Sequence, residues 1–99
     1  MASIHIRFGE ITPGSDPVFQ RVPRKSETVT SSGTSAQSTN TANSGEYVCI
    51  TALDGSVYSL VGENPTALAS GAGMEAIPSG GFKVFGPLKD LDKVAVIDV

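Results

Sequence analysis

The ionisable side chains of this sequence are sparse, and their spacing decides what chemistry it can host. General acid–base catalysis needs paired groups positioned in a cleft. The candidate carboxylates are Glu63, Glu75, Asp90, Asp92 and Asp98, and the single histidine, His5, is far from each of these in sequence. Cys49, the single cysteine, would need a base to act as a nucleophile, and no motif supplies one. Within Tyr47-Val48-Cys49-Ile50 it reads instead as a small buried hydrophobe. Asp90, Asp92 and Asp98 are the best candidate set of oxygen ligands for calcium. The Asp90-x-Asp92-Lys93 spacing lacks the sixth-position glycine and the late glutamate of an EF-hand loop, so solvated turn carboxylates are the expectation. The glycines at 71, 73, 80 and 81 precede neither a helix start nor a Lys-Ser/Thr pair, and turn geometry explains them better than a phosphate loop. The reading is of no enzyme, no metal and no cofactor.

Composition narrows the classes further. A chain of 99 residues makes one domain with a modest core, for which oligomerisation is a natural source of added stability. Only 17% of residues are charged and the formal net charge is -3, which suits a subunit whose faces are partly covered by neighbours. No strong basic run is present, so direct nucleic-acid binding is not expected. No apolar stretch approaches a membrane helix in length. No basic segment with an apolar run opens the sequence, so no signal peptide is expected. The one basic cluster, Arg21, Arg24 and Lys25, reads as a solvated or interface loop.

The elements that would position these groups are strands. Ile4, Ile6 and Phe8 alternate with His5 and Arg7, which predicts a half-buried strand with the apolar set inward. Residues 1–25 are then an extended N-terminal strand and arm, broken by Pro13-Gly14 and fenced by Pro17 and Pro23. Phe19 in that arm either plugs the end of the core or anchors in a neighbouring subunit. Residues 26–99 form a single β-domain. Ser and Thr dominate 26–44, with strand propensity at Glu27 to Thr30 and a return edge at Ala36 to Thr39. From Tyr47 to Leu53 the pattern puts Val48, Ile50 and Ala52 on one face. Asp54-Gly55 is the strongest hairpin signal, which predicts pairing of Leu53 with Ser56 and of Thr51 with Tyr58. Further strands are expected at Met74 to Ile77, Phe82 to Phe85 and Val94 to Val99. A single helical turn is allowed at Thr66 to Ser70. The final strand is expected to complete the sheet beside Ile4 to Phe8 or to pair across a subunit boundary. The fold class is all-β, a small antiparallel β-sandwich or β-barrel of which a jelly-roll is one form.

Three features in fixed order carry a resemblance. They are Val29-Thr30-Ser31-Ser32-Gly33-Thr34-Ser35-Ala36-Gln37-Ser38, then Gly62-Glu63-Asn64-Pro65-Thr66-Ala67, then Ile77-Pro78-Ser79-Gly80-Gly81-Phe82, closed by Asp92-Lys93-Val94-Ala95-Val96-Ile97. The series resembles small virion-associated proteins of tailed bacteriophages, of the head or its accessory components. The resemblance covers residues 26–99 and implies a structural protein without catalytic residues. It implies a capsid decoration, cement or head accessory subunit located in the virion and assembled in the host cytoplasm. Its partners would be the major capsid protein or another virion protein and further copies of itself, a trimer among the forms allowed. The interface residues proposed from the sequence are Phe19, Arg21, Arg24 and Lys25, an apolar and basic set in a turn-rich arm. The alternative is a receptor- or carbohydrate-binding β-module of a tail or fibre, resting on Tyr47, Tyr58 and Asn64.

Overall fold

The computed structural model describes residues 2–9, 11–12, 18–19, 25–68, 70–71 and 73–99, with the backbone alone at 11–12 and 18–19. The strands are β1 (Ser3–Gly9), β2 (Ile11–Thr12), β3 (Val18–Phe19), β4 (Lys25–Thr30), β5 (Ala36–Gln37), β6 (Tyr47–Ala52), β7 (Val57–Gly62), β8 (Glu75–Ile77), β9 (Phe82–Phe85) and β10 (Lys93–Asp98). The fold is all-β, with two four-stranded antiparallel sheets in the orders β4-β1-β6-β9 and β5-β10-β7-β8. A short β2-β3 pair stands apart from both. The described strands form no closed barrel; each sheet keeps two free edges. The helical turn allowed at Thr66 to Ser70 is absent among the described residues, where a turn closes through Gly71 N–H to Leu68 O at 3.0 Å.

Strand alternation builds the core. Ile4, Ile6 and Phe8 of β1 are fully buried, as are Val48, Ile50 and Ala52 of β6. They form one apolar cluster with Val57, Ile77, Val94 and Val96 of the second sheet. The two sheets therefore share a single core, and its burial is the largest favourable term in the fold. β1 is an interior strand, paired along its length with β4 and β6. β10 is equally interior, but it pairs with β7 and β5 rather than with β1 or another subunit. Across the core, Val94 and Val96 meet β1 without sharing its sheet.

The Asp54-Gly55 segment is not a hairpin. It carries the chain from β6 in one sheet to β7 in the other, so Thr51 pairs with His5 and Phe82, not with Tyr58. The reason is that both sides of β6 are taken. Leu53 N–H donates to Ser3 O at 2.9 Å on one side, and Ala52 N–H donates to Gly81 O at 3.0 Å on the other. The Asp54 carboxylate accepts Ser3 N–H at 2.6 Å, which ties the crossover to the start of β1. Pro78 to Gly81 is a second crossover between the sheets. It closes through Gly81 N–H to Pro78 O at 2.8 Å, with Gly80 at φ +80°, a conformation that favours glycine.

Candidate interaction surfaces

Register fixes what the outer face of the first sheet displays. Thr28, His5, Thr51 and Phe82 stand in one cross-strand row, and Ser26, Arg7, Cys49 and Val84 in the next. Phe82 is 63% exposed and Leu53, on the same face of the chain, is 53% exposed. Leu91, Val99 and Leu68 are the other large apolar side chains exposed among the described residues. In the adjacent row the Arg7 guanidinium donates from Nη2 to Cys49 Sγ at 3.0 Å. Cys49 is buried and free, as its apolar neighbours predicted.

The outer face of the second sheet is covered. The connection from β7 to β8 crosses it, with Pro65 and Ala67 buried. Beneath lies a second apolar cluster of Ala67, Ala95 and Ile97, joined by Tyr58 and Met74. Side chains from the β5 edge hold this strap. Gln37 Nε2 donates to Asn64 Oδ1 at 3.0 Å and to Pro65 O at 2.6 Å, and Ala67 N–H donates to Ser35 Oγ at 2.8 Å. Gly71 lies flat on the Tyr58 ring: a Cβ there would stand 2.7 Å from Cζ, and its φ is +75°.

Two charged side chains close the seams between the sheets. On the β4 and β5 side, Glu27 points to the core face beside Ile6. Its carboxylate accepts Asn40 N–H at 2.8 Å and Thr39 N–H at 3.0 Å. On the β8 and β9 side, Lys83 Nζ meets Glu75 Oε1 at 3.3 Å. Inward-facing charge on an edge strand is a device against strand addition. Lys83 on β9 and Glu27 on β4 both fit it.

Clefts among the described residues include two at the ends of the sheets. One of about 330 Å³ is lined by Ala2, Gly55, Ser56, Asp98 and Val99. Here the Ser31 hydroxyl donates to the Asp98 carboxylate and accepts Ala2 N–H at 2.9 Å. That hydrogen bond holds the Asp98 pKa below the ordinary carboxylate value. The other, of about 390 Å³, is lined by Val61, Gly62, Glu63, Pro87, Lys89, Asp90 and Asp92. Asp92 Oδ2 accepts Lys89 N–H at 2.9 Å. Asp90 and Asp92 are thus parted from Asp98, which lies in the other cleft, and the three form no ligand set. Among the described residues no group of three or more His, Cys, Asp or Glu side chains is placed to hold a metal ion. Nor is any described helix long and apolar enough to cross a membrane.

Of the interface residues expected from the sequence, Lys25 is exposed at the start of β4, opposite Phe8. Phe19 pairs through its backbone with Ile11, and its side chain lies outside the description. Arg21 and Arg24 lie outside the described residues. Tyr47 and Tyr58, expected on adjacent strands, fall in different sheets, and Asn64 is engaged by Gln37. Sequence reasoning missed the Phe82 and Leu53 surface. Phe82 was visible as a turn-closing aromatic, but its outward direction depends on the register with Thr51. Comparison with protein-family models, curated proteins and solved structures finds no match to this chain.

Proposed function

We propose that this chain is a non-enzymatic structural subunit of a bacteriophage virion, a capsid decoration, cement or head accessory protein. In this reading it acts as a homo-oligomer seated on the major capsid protein or another virion protein. It resides in the particle and is assembled in the host cytoplasm. The strand order supports a jelly-roll sandwich as its finer fold. Matched position by position, the two sheets set β4 against β5, β1 against β10, β6 against β7 and β9 against β8. From β4 to β7 every connection crosses between the sheets, as do those from β8 to β10. Jelly-rolls serve both viral shells and lectins, so the fold alone does not choose between them.

The observation that carries the choice is one end of the first sheet, where Phe82 at the start of β9 and Leu53 in the crossover after β6 stand exposed. An apolar anchor on regular structure suits a fixed protein partner. A glycan platform wants aromatic rings beside free amide or acid groups. The tyrosines that would supply it are split between sheets, and the Asn64 carbonyl already accepts from Gln37. The arm residues Phe19, Arg21, Arg24 and Lys25 remain proposed contacts.

Co-sedimentation with empty phage shells, read beside mass in solution, tests the proposal. The expected result is a stable oligomer that pellets with shells, and loss of pelleting in a Leu53→Ser, Phe82→Ser double variant that keeps its thermal transition. A monomer that stays in the supernatant but is retarded on glycan columns would overturn it in favour of a receptor- or carbohydrate-binding module.

A further inference from the structure

We infer that Asp54–Gly55 is a site of spontaneous backbone isomerisation, restrained in the folded chain by the hydrogen bond from Ser3 N–H. The pair has the composition of a tight hairpin but lies in the crossover from β6 to β7, in neither strand. Asp54 is exposed, and Gly55 lines the cleft of about 330 Å³ at that end, so solvent reaches both residues. Glycine after aspartate is the arrangement that leaves the following amide least hindered, because no Cβ crowds its nitrogen.

The step needs nothing but water. The Gly55 nitrogen attacks the carbon of the protonated Asp54 side-chain carboxyl, a C–N bond forms, and a five-membered succinimide closes. The carboxyl C–OH bond breaks, and the hydroxyl leaves with the amide proton as one water. Water then adds to either ring carbonyl. Opening at the side-chain carbonyl restores Asp54; opening at the main-chain carbonyl leaves isoaspartate, with one extra methylene in the main chain beside exposed Leu53. Closure requires the carboxyl to swing onto the Gly55 nitrogen. Asp54 Oδ1 is instead held by Ser3 N–H at 2.6 Å, and Leu53 N–H donates to Ser3 O at 2.9 Å. Ser3 thus grips the crossover through both of its backbone groups, and isomerisation waits on opening of the start of β1. In the product the carboxylate that Ser3 held has become a neutral peptide carbonyl, so the charge-assisted bond is lost. The chemistry is independent of any role in a virion.

The full chain, incubated at neutral pH folded and in urea beyond its transition, tests the inference. Proteolytic peptides are separated by chromatography, where isoaspartate has the parent mass and a different retention. Isoaspartate should appear at position 54 in the folded chain ahead of Asp90, Asp92 and Asp98, which are followed by Leu91, Lys93 and Val99. It should form about tenfold more slowly than in urea, as for one hydrogen bond to a charged group. Ser3→Pro removes the donor at the first residue of β1, a strand position that proline tolerates. It should raise the folded rate about tenfold with the thermal transition kept. Gly55→Ala keeps the tie at an ordinary φ and should suppress the product. Should Ser3→Pro fail to fold, exchange of the parent's Ser3 amide replaces it, and sub-denaturing urea should speed that exchange and isomerisation together. No isoaspartate at 54 in the folded chain while the unfolded chain converts would overturn the site. Equal folded and unfolded rates, a Ser3→Pro rate matching the parent, or isomerisation that ignores urea while Ser3 exchange rises would overturn the restraint.

Discussion

The two sheets are built alike and finished differently. Each has four antiparallel strands and gives its inner face to the same core. On the outside, the first sheet leaves Phe82 and Leu53 in water, while the second folds a loop across Tyr58 and Ile97. Among the described residues, the second sheet is covered at Tyr58 and Ile97, and the first sheet is open at Phe82 but closed over Cys49. In the function proposed above, the open end of the first sheet at Phe82 is the surface offered to a partner.

The sharpest way to break that comparison is to strike what the sheets share. Phe8 is fully buried and lies in the joint cluster. Phe8→Ala should cost about 3–5 kcal/mol, the range for a large core aromatic cut to alanine. Both sheets should melt in one transition, seen equally from Tyr58 and from the Phe82 side. Separate transitions would mean that the sheets are two stability units, and the comparison of their faces would lose its common frame.

A smaller effect separates the faces themselves. Ile97 and Phe82 both point outward, but Ile97 is 4% exposed beneath the strap and Phe82 is 63% exposed. Ile97→Ala should destabilise by about 2 kcal/mol, the low end for buried aliphatics because only a loop covers the site. Phe82→Ala should change stability by less than about 0.5 kcal/mol, as for surface positions. Urea midpoints of the two variants, compared side by side, decide it. A Phe82→Ala loss as large as that of Ile97→Ala would show the ring to be structural.

What the sequence made legible was which way side chains face. Period-two alternation places Ile4, Ile6 and Phe8 inward and groups Val48, Ile50 and Ala52 on one face, and all six are fully buried. Partners were not legible. Asp54-Gly55 has the composition of a tight hairpin, yet neither residue takes a positive φ there. The turn signal is local, whereas β6 is claimed by β1 and β9 through contacts distant in sequence. Tyr47 and Tyr58 were misjudged for the same reason: adjacency in sequence was read as adjacency in a sheet. Strand β7 carried a clue, since Tyr58 and Leu60 lie opposite in face to Val57 and Val61, leaving it apolar on both sides. Such a pattern marks a strand covered on both faces, which is what the core and the strap together provide.

The seams give the finest distinction. Glu27 accepts two backbone N–H groups, one of them exposed, so Glu27→Ala should cost about 1 kcal/mol by removing both charge-assisted bonds. The Lys83–Glu75 pair is about half exposed, with side-chain values of 46% and 47%, so its removal should cost no more than about 1 kcal/mol. Stability is therefore not the main reason for a lysine on the inner side of edge strand β9. Its consequence lies in what it forbids. A second copy adding to β9 would have to bring its own strand beside a half-exposed ammonium already committed to Glu75, and so strip it of part of its hydration. Lys83→Val removes that obstacle and extends an apolar edge of Phe82, Val84 and Phe85. Its thermal transition should stay within about 1 kcal/mol of the parent, while sedimentation velocity should reveal concentration-dependent species absent from the parent. If the variant sediments as the parent does at every concentration, the inward lysine is not the guard of that edge, and self-association through β9 must be blocked by the local twist of the strand instead.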